Sequence, residues 1–175
     1  MENRQQCFGW RRNWVTAGAS TALLLAGILA MMPVASSQDQ SAAPPKDVIF
    51  ARKILMDTIG NNMDALEGMT SSGKIDLVEG KEHADIVSVM MMAFPHLFPA
   101  STNQWKPNVQ RDPGTDTFAA PEVWTNFADF YKRATAAAKI AYNASRTEKE
   151  EEFKTFIAEL RVSCDSCHGT YLKDQ

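Results

Sequence analysis

The chain of 175 residues has only three cysteines, too few for a multi-disulfide scaffold. It has no basic excess: 18 Lys and Arg stand against 21 Asp and Glu, a formal charge of -3. That balance argues against a nucleic-acid footprint. Strand-like alternation is scarce, and no internal repeat or low-complexity tract is evident. What is present is an apolar content of 45%, enough to argue against general disorder. The length suits one domain, or one domain plus a processed segment.

The N-terminus reads as the processed segment. Arg4, Arg11 and Arg12 precede an apolar run from Trp14 to Val34, which ends in the small residues Ala35, Ser36 and Ser37. A positive start, an apolar middle and a small-residue end are the anatomy of a secretory signal peptide, here residues 1–37. The rival is an uncleaved membrane anchor, since the run is nearly long enough to span. Thr16, Gly18, Ser20 and Thr21 lower its apolar density and favour cleavage near Ser37. Arg11-Arg12 suggests twin-arginine export only superficially, because its flanks match poorly. Cys7 precedes the apolar run and leaves with the leader. The remaining 138 residues carry a formal charge of -5 and two cysteines. An exported, periplasmic domain is expected.

Residues 38–46 are a polar, proline-bearing lead-in, and residues 47–175 form the domain. A first helix is predicted from about Asp47 to Met69, with Ile49, Met56, Ile59, Met63 and Leu66 on one face and Arg52 on the same stripe. Ser71, Ser72 and Gly73 end it. A second covers about Asp76 to Ala93, with Val87, Met90 and Phe94 giving its spacing and Gly80 weakening its first turn. Five loop-forming residues, Pro95, Pro99, Pro107, Pro113 and Gly114, make residues 94–120 a long connection. Pro121 opens a third helix, where a missing N–H costs least. Its seam, Val123, Phe127, Phe130, Ala134, Ala137 and Ala141, steps 4, 3, 4, 3, 4. Ser145 with Glu148 fits a capping box for a fourth helix. Phe153, Ile157, Leu160, Cys164, Cys167 and Tyr171 repeat the same stepping. Four amphipathic helices bury their stripes together, so the fold class is all-α, an antiparallel four-helix bundle.

The chemistry lies in Cys164-Asp165-Ser166-Cys167-His168. C-x-x-C-H is the attachment signature of c-type haem. Two thiols one helical turn apart can each add to a vinyl group of one porphyrin, and the next residue offers an imidazole nitrogen to the iron. Both cysteines also sit in the core seam of the last helix, which puts the haem inside the bundle. A thioredoxin-like redox pair would need a βαβ context, which is not visible. A zinc site would need two further ligands, and His83 and His96 are isolated. A disulfide between residues three apart in a helix is poor geometry.

With this motif near the C-terminus of an exported four-helix chain, the sequence resembles the cytochrome c-prime family, the class II c-type cytochromes. Arg52-Lys53-Ile54-Leu55-Met56 with Gly60 and Met63, and Pro121-Glu122-Val123-Trp124, extend the resemblance over most of the domain. It implies one covalently attached haem c on Cys164 and Cys167, with His168 on the iron. It further implies that Arg52 lies near a haem propionate and that the residue four positions on covers the other face of the ring. High-spin, five-coordinate members usually carry a non-ligand such as leucine there; this chain has Met56. Arg52 and Met56 share a helix face. A thioether is a soft ligand that suits haem iron and raises its potential. The bland alternative is that Met56 fills the core, and Met63, two turns on, is a rival ligand. Gly60 lies near the same face, where it permits close approach of the ring. Tyr171 is expected beside the ring. The family often has a basic residue one position further on, whereas this chain has Leu172.

The favoured function is electron transfer, not enzymatic turnover: an exported c-type cytochrome carrying single electrons through a His/Met-ligated haem. Its partners would be exported or membrane-bound redox proteins, and its acidic surface favours a basic patch on them. The alternative is a five-coordinate, high-spin protein binding nitric oxide or carbon monoxide. A peroxidase is the weakest reading, because the first helix offers no distal acid–base residue. The resemblance also admits a homodimer through the first two helices. Met90-Met91-Met92 reads as a buried face or part of that contact, and Glu148–Glu152 as a solvated first turn complementing the helix dipole. His83 and His96 are given no role.

Overall fold

The computed structural model describes residues 43–107 and 117–173. The predicted leader, most of the lead-in, and Pro113 with Gly114 lie outside the described residues. Helix α1 spans Pro45–Ser72, so helical structure starts within the expected lead-in. Proline suits the first position because its missing N–H has no intrahelical partner there. Gly73 stops the helix in the left-handed region, φ 67°, as glycine does without a Cβ penalty. Helix α2 spans Leu77–Ala93. Its N-cap, Asp76, accepts from the amides of Val78 (2.9 Å) and Glu79 (3.2 Å), worth about 1 kcal/mol. The proline-rich connection then folds into two short 3₁₀ turns, Phe94–Leu97 and Ala100–Thr102.

The predicted third helix is interrupted. Asn126 leaves helical geometry (φ -129°, ψ 45°) and divides it into a one-turn α3, Glu122–Thr125, and a long α4, Phe127–Arg146. The kink keeps Val123 and Phe130 buried but turns Phe127 outward, so the seam loses that member. The predicted capping box also fails. Ser145 lies within α4 and is buried; its hydroxyl donates to the Tyr142 carbonyl (2.8 Å) and to Asp85 (3.3 Å). Helix α5 begins at Glu150. Before it, Thr147 donates to Glu152 (2.8 Å) and accepts from the Lys149 amide (3.3 Å).

Four long helices form the antiparallel bundle, with α4 packed between α2 and α5, and α1 against α2 and α5. The buried face of α4 is nearly all alanine (Ala134, Ala137, Ala138, Ala141, Ala144), which lets its neighbours approach closely. Gly80 has a similar use. A Cβ there would lie 2.6 Å from Cζ of Phe153, a ring with no exposed surface. Burying such a ring contributes about 1.5–3 kcal/mol. Met91 is buried and Met92 is exposed, so the methionine triplet is divided between core and surface.

The interior falls into two apolar clusters. The larger runs along the bundle and includes Ile59, Met63, Leu66, Val87, Phe153, Ile157 and Leu160. The smaller holds Phe94, Phe98, Ala119, Val123, Phe130 and Tyr171. Past α5, the chain pairs with residues 118–120: the Ala120 amide donates to the Tyr171 carbonyl and the Lys173 amide to that of Phe118, each at 2.8 Å. Among the described residues, no helix is long and apolar enough to cross a membrane.

Candidate haem-binding site

A cavity of about 360 Å³ opens between the two clusters. Helix α1 brings Arg52, Met56, Gly60 and Met63 to its wall, and α5 brings Cys164, Cys167, His168 and Tyr171. All five predicted site residues, Arg52, Met56, Cys164, Cys167 and His168, therefore line one space. Both cysteines are free thiols, half-buried on α5. Burial pushes both thiols above their ordinary pKa, partly opposed by Arg161 at Cys164 and by Arg133 at Cys167. His168 is exposed at the rim. Met63 is 2% exposed within the larger cluster, whereas Met56 is half-buried and touches both clusters.

Arg52 is buried, and its first task is structural. Nη1 donates to the Leu97 carbonyl (3.2 Å) and to Thr102 Oγ1 (2.9 Å), and Nη2 to the Thr102 carbonyl (3.4 Å). Its guanidinium lies 4.5 Å from the centre of the Phe98 ring. Burial pulls its pKa down to about 10, so it stays charged at neutral pH. Among the described residues these bonds leave over the Nε–H and one Nη2 hydrogen, side-by-side donors matched to a carboxylate.

The residues fit a haem. Apolar and aromatic side chains from both clusters form the walls, two thiols and an imidazole share a helix, and a charged arginine stands at the wall. A Cβ at Gly60 would meet nothing within 4 Å, so this part of α1 leaves the cavity open. A model of the family described as Cytochrome C′ matches residues 47–172. The chain belongs to the cytochrome c′ family. Cytochrome c-556 of Agrobacterium fabrum is 29% identical over 126 residues, covering 69% of this chain and 77% of that protein. The crystal structure of cytochrome c′ from Thermochromatium tepidum superposes with a TM-score of 0.65 at 21% identity, covering 77% of this chain and 100% of that one. A cytochrome c′ described as having ligand-controlled dimer dissociation gives a TM-score of 0.64 at 21% identity, with the same coverages. These two likenesses are of fold. Cytochromes of this family carry covalently attached haem c, which is the cofactor of this chain, and they act as electron carriers or gas-binding haemoproteins.

Several lining residues carried no site signal in the sequence. Phe94 and Phe130 read as seam residues, and Phe98 and Ala119 fell in a stretch read only as a loop. The aromatic pair around Pro95 and Pro99 was the one available cue, since two phenylalanines in a proline-rich connection need an apolar surface to cover. Arg133 and Arg161 reach the cavity from α4 and α5. Arg161 is held by Glu67 of α1 at 2.5 and 3.1 Å, which raises its pKa above the ordinary value.

Proposed function

We propose that the chain is an exported one-electron carrier whose haem c is tethered through Cys164 and Cys167, with His168 and Met56 as the iron's axial ligands. The observation that carries this reading is the meeting of the attachment motif and a half-buried thioether in one cavity. When bound, the haem supplies a single-electron couple. The chain's residues hold it by two thioether bonds, offer a propionate the spare edge of Arg52 and keep water from its faces. Met56 shares a helix face with Arg52 and touches both clusters, whereas Met63 is packed inside one. Both sulfurs line the cavity, and the greater exposure of Met56 and the face it shares with Arg52 favour it over Met63 as the ligand. The leader, residues 1–37, sends the protein to the periplasm in this reading, and the acidic domain meets redox partners through their basic surfaces. Exposed Phe50 and Ile54 on α1, with Val89 and Met92 on α2, suit a homodimer contact.

A five-coordinate, gas-binding protein is the second reading. It is favoured by one observation: the packing of Met56 on both clusters accounts for it without ligation. Absorption spectra of both oxidation states decide between them. A low-spin wild type that binds carbon monoxide slowly, and becomes high-spin and fast-binding in Met56→Leu, supports electron transfer. Leucine nearly conserves volume and costs under about 1.5 kcal/mol in packing. A wild type already high-spin makes gas binding the function. A switch produced by Met63→Leu alone makes Met63 the ligand.

A further inference from the structure

The attachment motif is braced from α4 by a group of side chains that holds neither the thioether bonds nor the iron. Asp129 Oδ2 accepts both from the Tyr171 hydroxyl (2.7 Å) and from Arg133 Nε (2.6 Å). Arg133 Nη1 donates to Ser166 Oγ (2.8 Å) and to the Ser166 carbonyl (3.4 Å), inside the Cys-Asp-Ser-Cys-His turn itself. The guanidinium lies 5.9 Å from the centre of the Tyr171 ring. Arg133 lines the cavity together with Cys167, His168 and Tyr171. Surface ion pairs are usually mobile and worth little. This one is different in kind, because each charge is fixed to a second, independent anchor: Asp129 to a buried tyrosine, Arg133 to the motif's own serine.

Fixed charges beside a redox centre act on its equilibrium through Coulomb's law, and this pair, each side chain 36% exposed, does so through partial screening by water and salt. The oxidised haem carries one positive charge more than the reduced haem. A carboxylate therefore favours the oxidised form and a guanidinium the reduced form. We infer that Asp129 and Arg133 are a charge-compensated pair on the histidine side of the haem, each charge cancelling the shift in reduction potential that the other would impose alone, with Ser166 and Tyr171 fixing their positions. This rests on the reading above that His168 binds the iron and that Cys164 and Cys167 carry the ring.

The test compares the holoprotein with Arg133→Gln, Asp129→Asn and the double variant by spectroscopic redox titration. Covalent haem and the spectrum of each protein are recorded first. Arg133→Gln leaves Asp129 uncompensated and shifts the potential down. Asp129→Asn leaves Arg133 uncompensated and shifts it up. The double variant returns towards wild type, and both single shifts shrink as salt is raised. Arg133→Lys, which keeps the charge but loses the fork, stays nearer to wild type than Arg133→Gln. A purely structural brace gives another pattern: shifts of one sign in both single variants, the largest shift in the double variant, or a lysine variant as displaced as the glutamine one. Any of these, or no shift in a protein whose haem spectrum is intact, overturns the inference. A wild type without covalent, histidine-ligated haem overturns instead the reading beneath it, and the first spectra tell the two failures apart.

Discussion

Replacing Arg52 by methionine removes a buried guanidinium while keeping most of its apolar stem beside Phe98. Three hydrogen bonds disappear: a good one at 2.9 Å, an ordinary one at 3.2 Å and a long one at 3.4 Å. Hydrogen bonds to a charged group are each worth about 1.5–3 kcal/mol, so the first two dominate. The cost of burying the guanidinium, visible in the fall of its pKa to about 10, is recovered on substitution and offsets part of the loss. Thr102 keeps its own bond to the Pro99 carbonyl (2.8 Å), which spares its hydroxyl. The net cost is then about 2–4 kcal/mol. At roughly 4 °C per kcal/mol for a domain of this size, the melting temperature falls by about 8–16 °C. Arg52→Lys keeps the charge but cannot span Leu97 and Thr102 together, so it falls by about half as much. Thermal unfolding of the holoprotein, followed by far-ultraviolet circular dichroism, measures both. A melting temperature for Arg52→Met within about 4 °C of wild type would refute the view that this side chain anchors the 97–102 segment.

Other outcomes follow from the packing and the titrating groups. Gly80→Ala places a methyl against the Phe153 ring; an overpacking cost of about 1–3 kcal/mol exceeds a helix-propensity gain of about 1 kcal/mol. Urea unfolding should show a net loss, relieved by Phe153→Leu in the same chain; a more stable Gly80→Ala would contradict the close contact. Replacing His168 should alter the haem spectrum far more than replacing His83, which already meets Asn62 Oδ1 at 2.7 Å, or His96, which packs on Tyr131; equal effects from all three would remove His168 from the iron. The Tyr171 phenol is pushed up to about 12 by burial and then by its bond to Asp129. The unfolded chain's phenol loses its proton first, near about pH 10, so stability declines from there towards pH 12. A phenolate absorbance titration in which Tyr171→Phe fails to remove the highest step would count against that assignment.

The helices were legible where a local signal acts alone. Asp76 and Gly73 mark ends by backbone chemistry that distant contacts do not override, whereas Pro45 opens α1 inside the stretch read as lead-in, ahead of the expected start at about Asp47. The break at Asn126 was not legible, because Val123, Phe127 and Phe130 keep a helical period across it. The non-helical backbone at Asn126 is what turns Phe127 out. Ser145 satisfied a capping pattern but met a better use inside α4, where its neighbours are buried alanines. Of the site, Cys164, Cys167 and His168 stood out by type and spacing, whereas Arg52 and Met56 were singled out through the family resemblance; all five line one cavity. Its walls could not be read. The 94–102 turns owe their course to Arg52, about 45 residues away in sequence, and such pairings leave no periodic trace. Arg133 was hidden for a similar reason: on sequence alone it is one more charge on a helix.

The division of the interior has a consequence for how the protein holds together in time. Cys164 packs on the larger cluster and Cys167 on the smaller, so the two sulfurs proposed to tether the ring stand on opposite sides of the seam between them. A ring bonded to both is then a rivet across two cores rather than a passenger in one. Cooperative unfolding requires that neither half melt alone. Among the described residues Leu55 and Met56 pack on both clusters, and α4 and α5 contribute side chains to each. A ring held at both sulfurs would add a covalent bridge within what is already one compact unit, so its loss should broaden the unfolding transition rather than divide the domain.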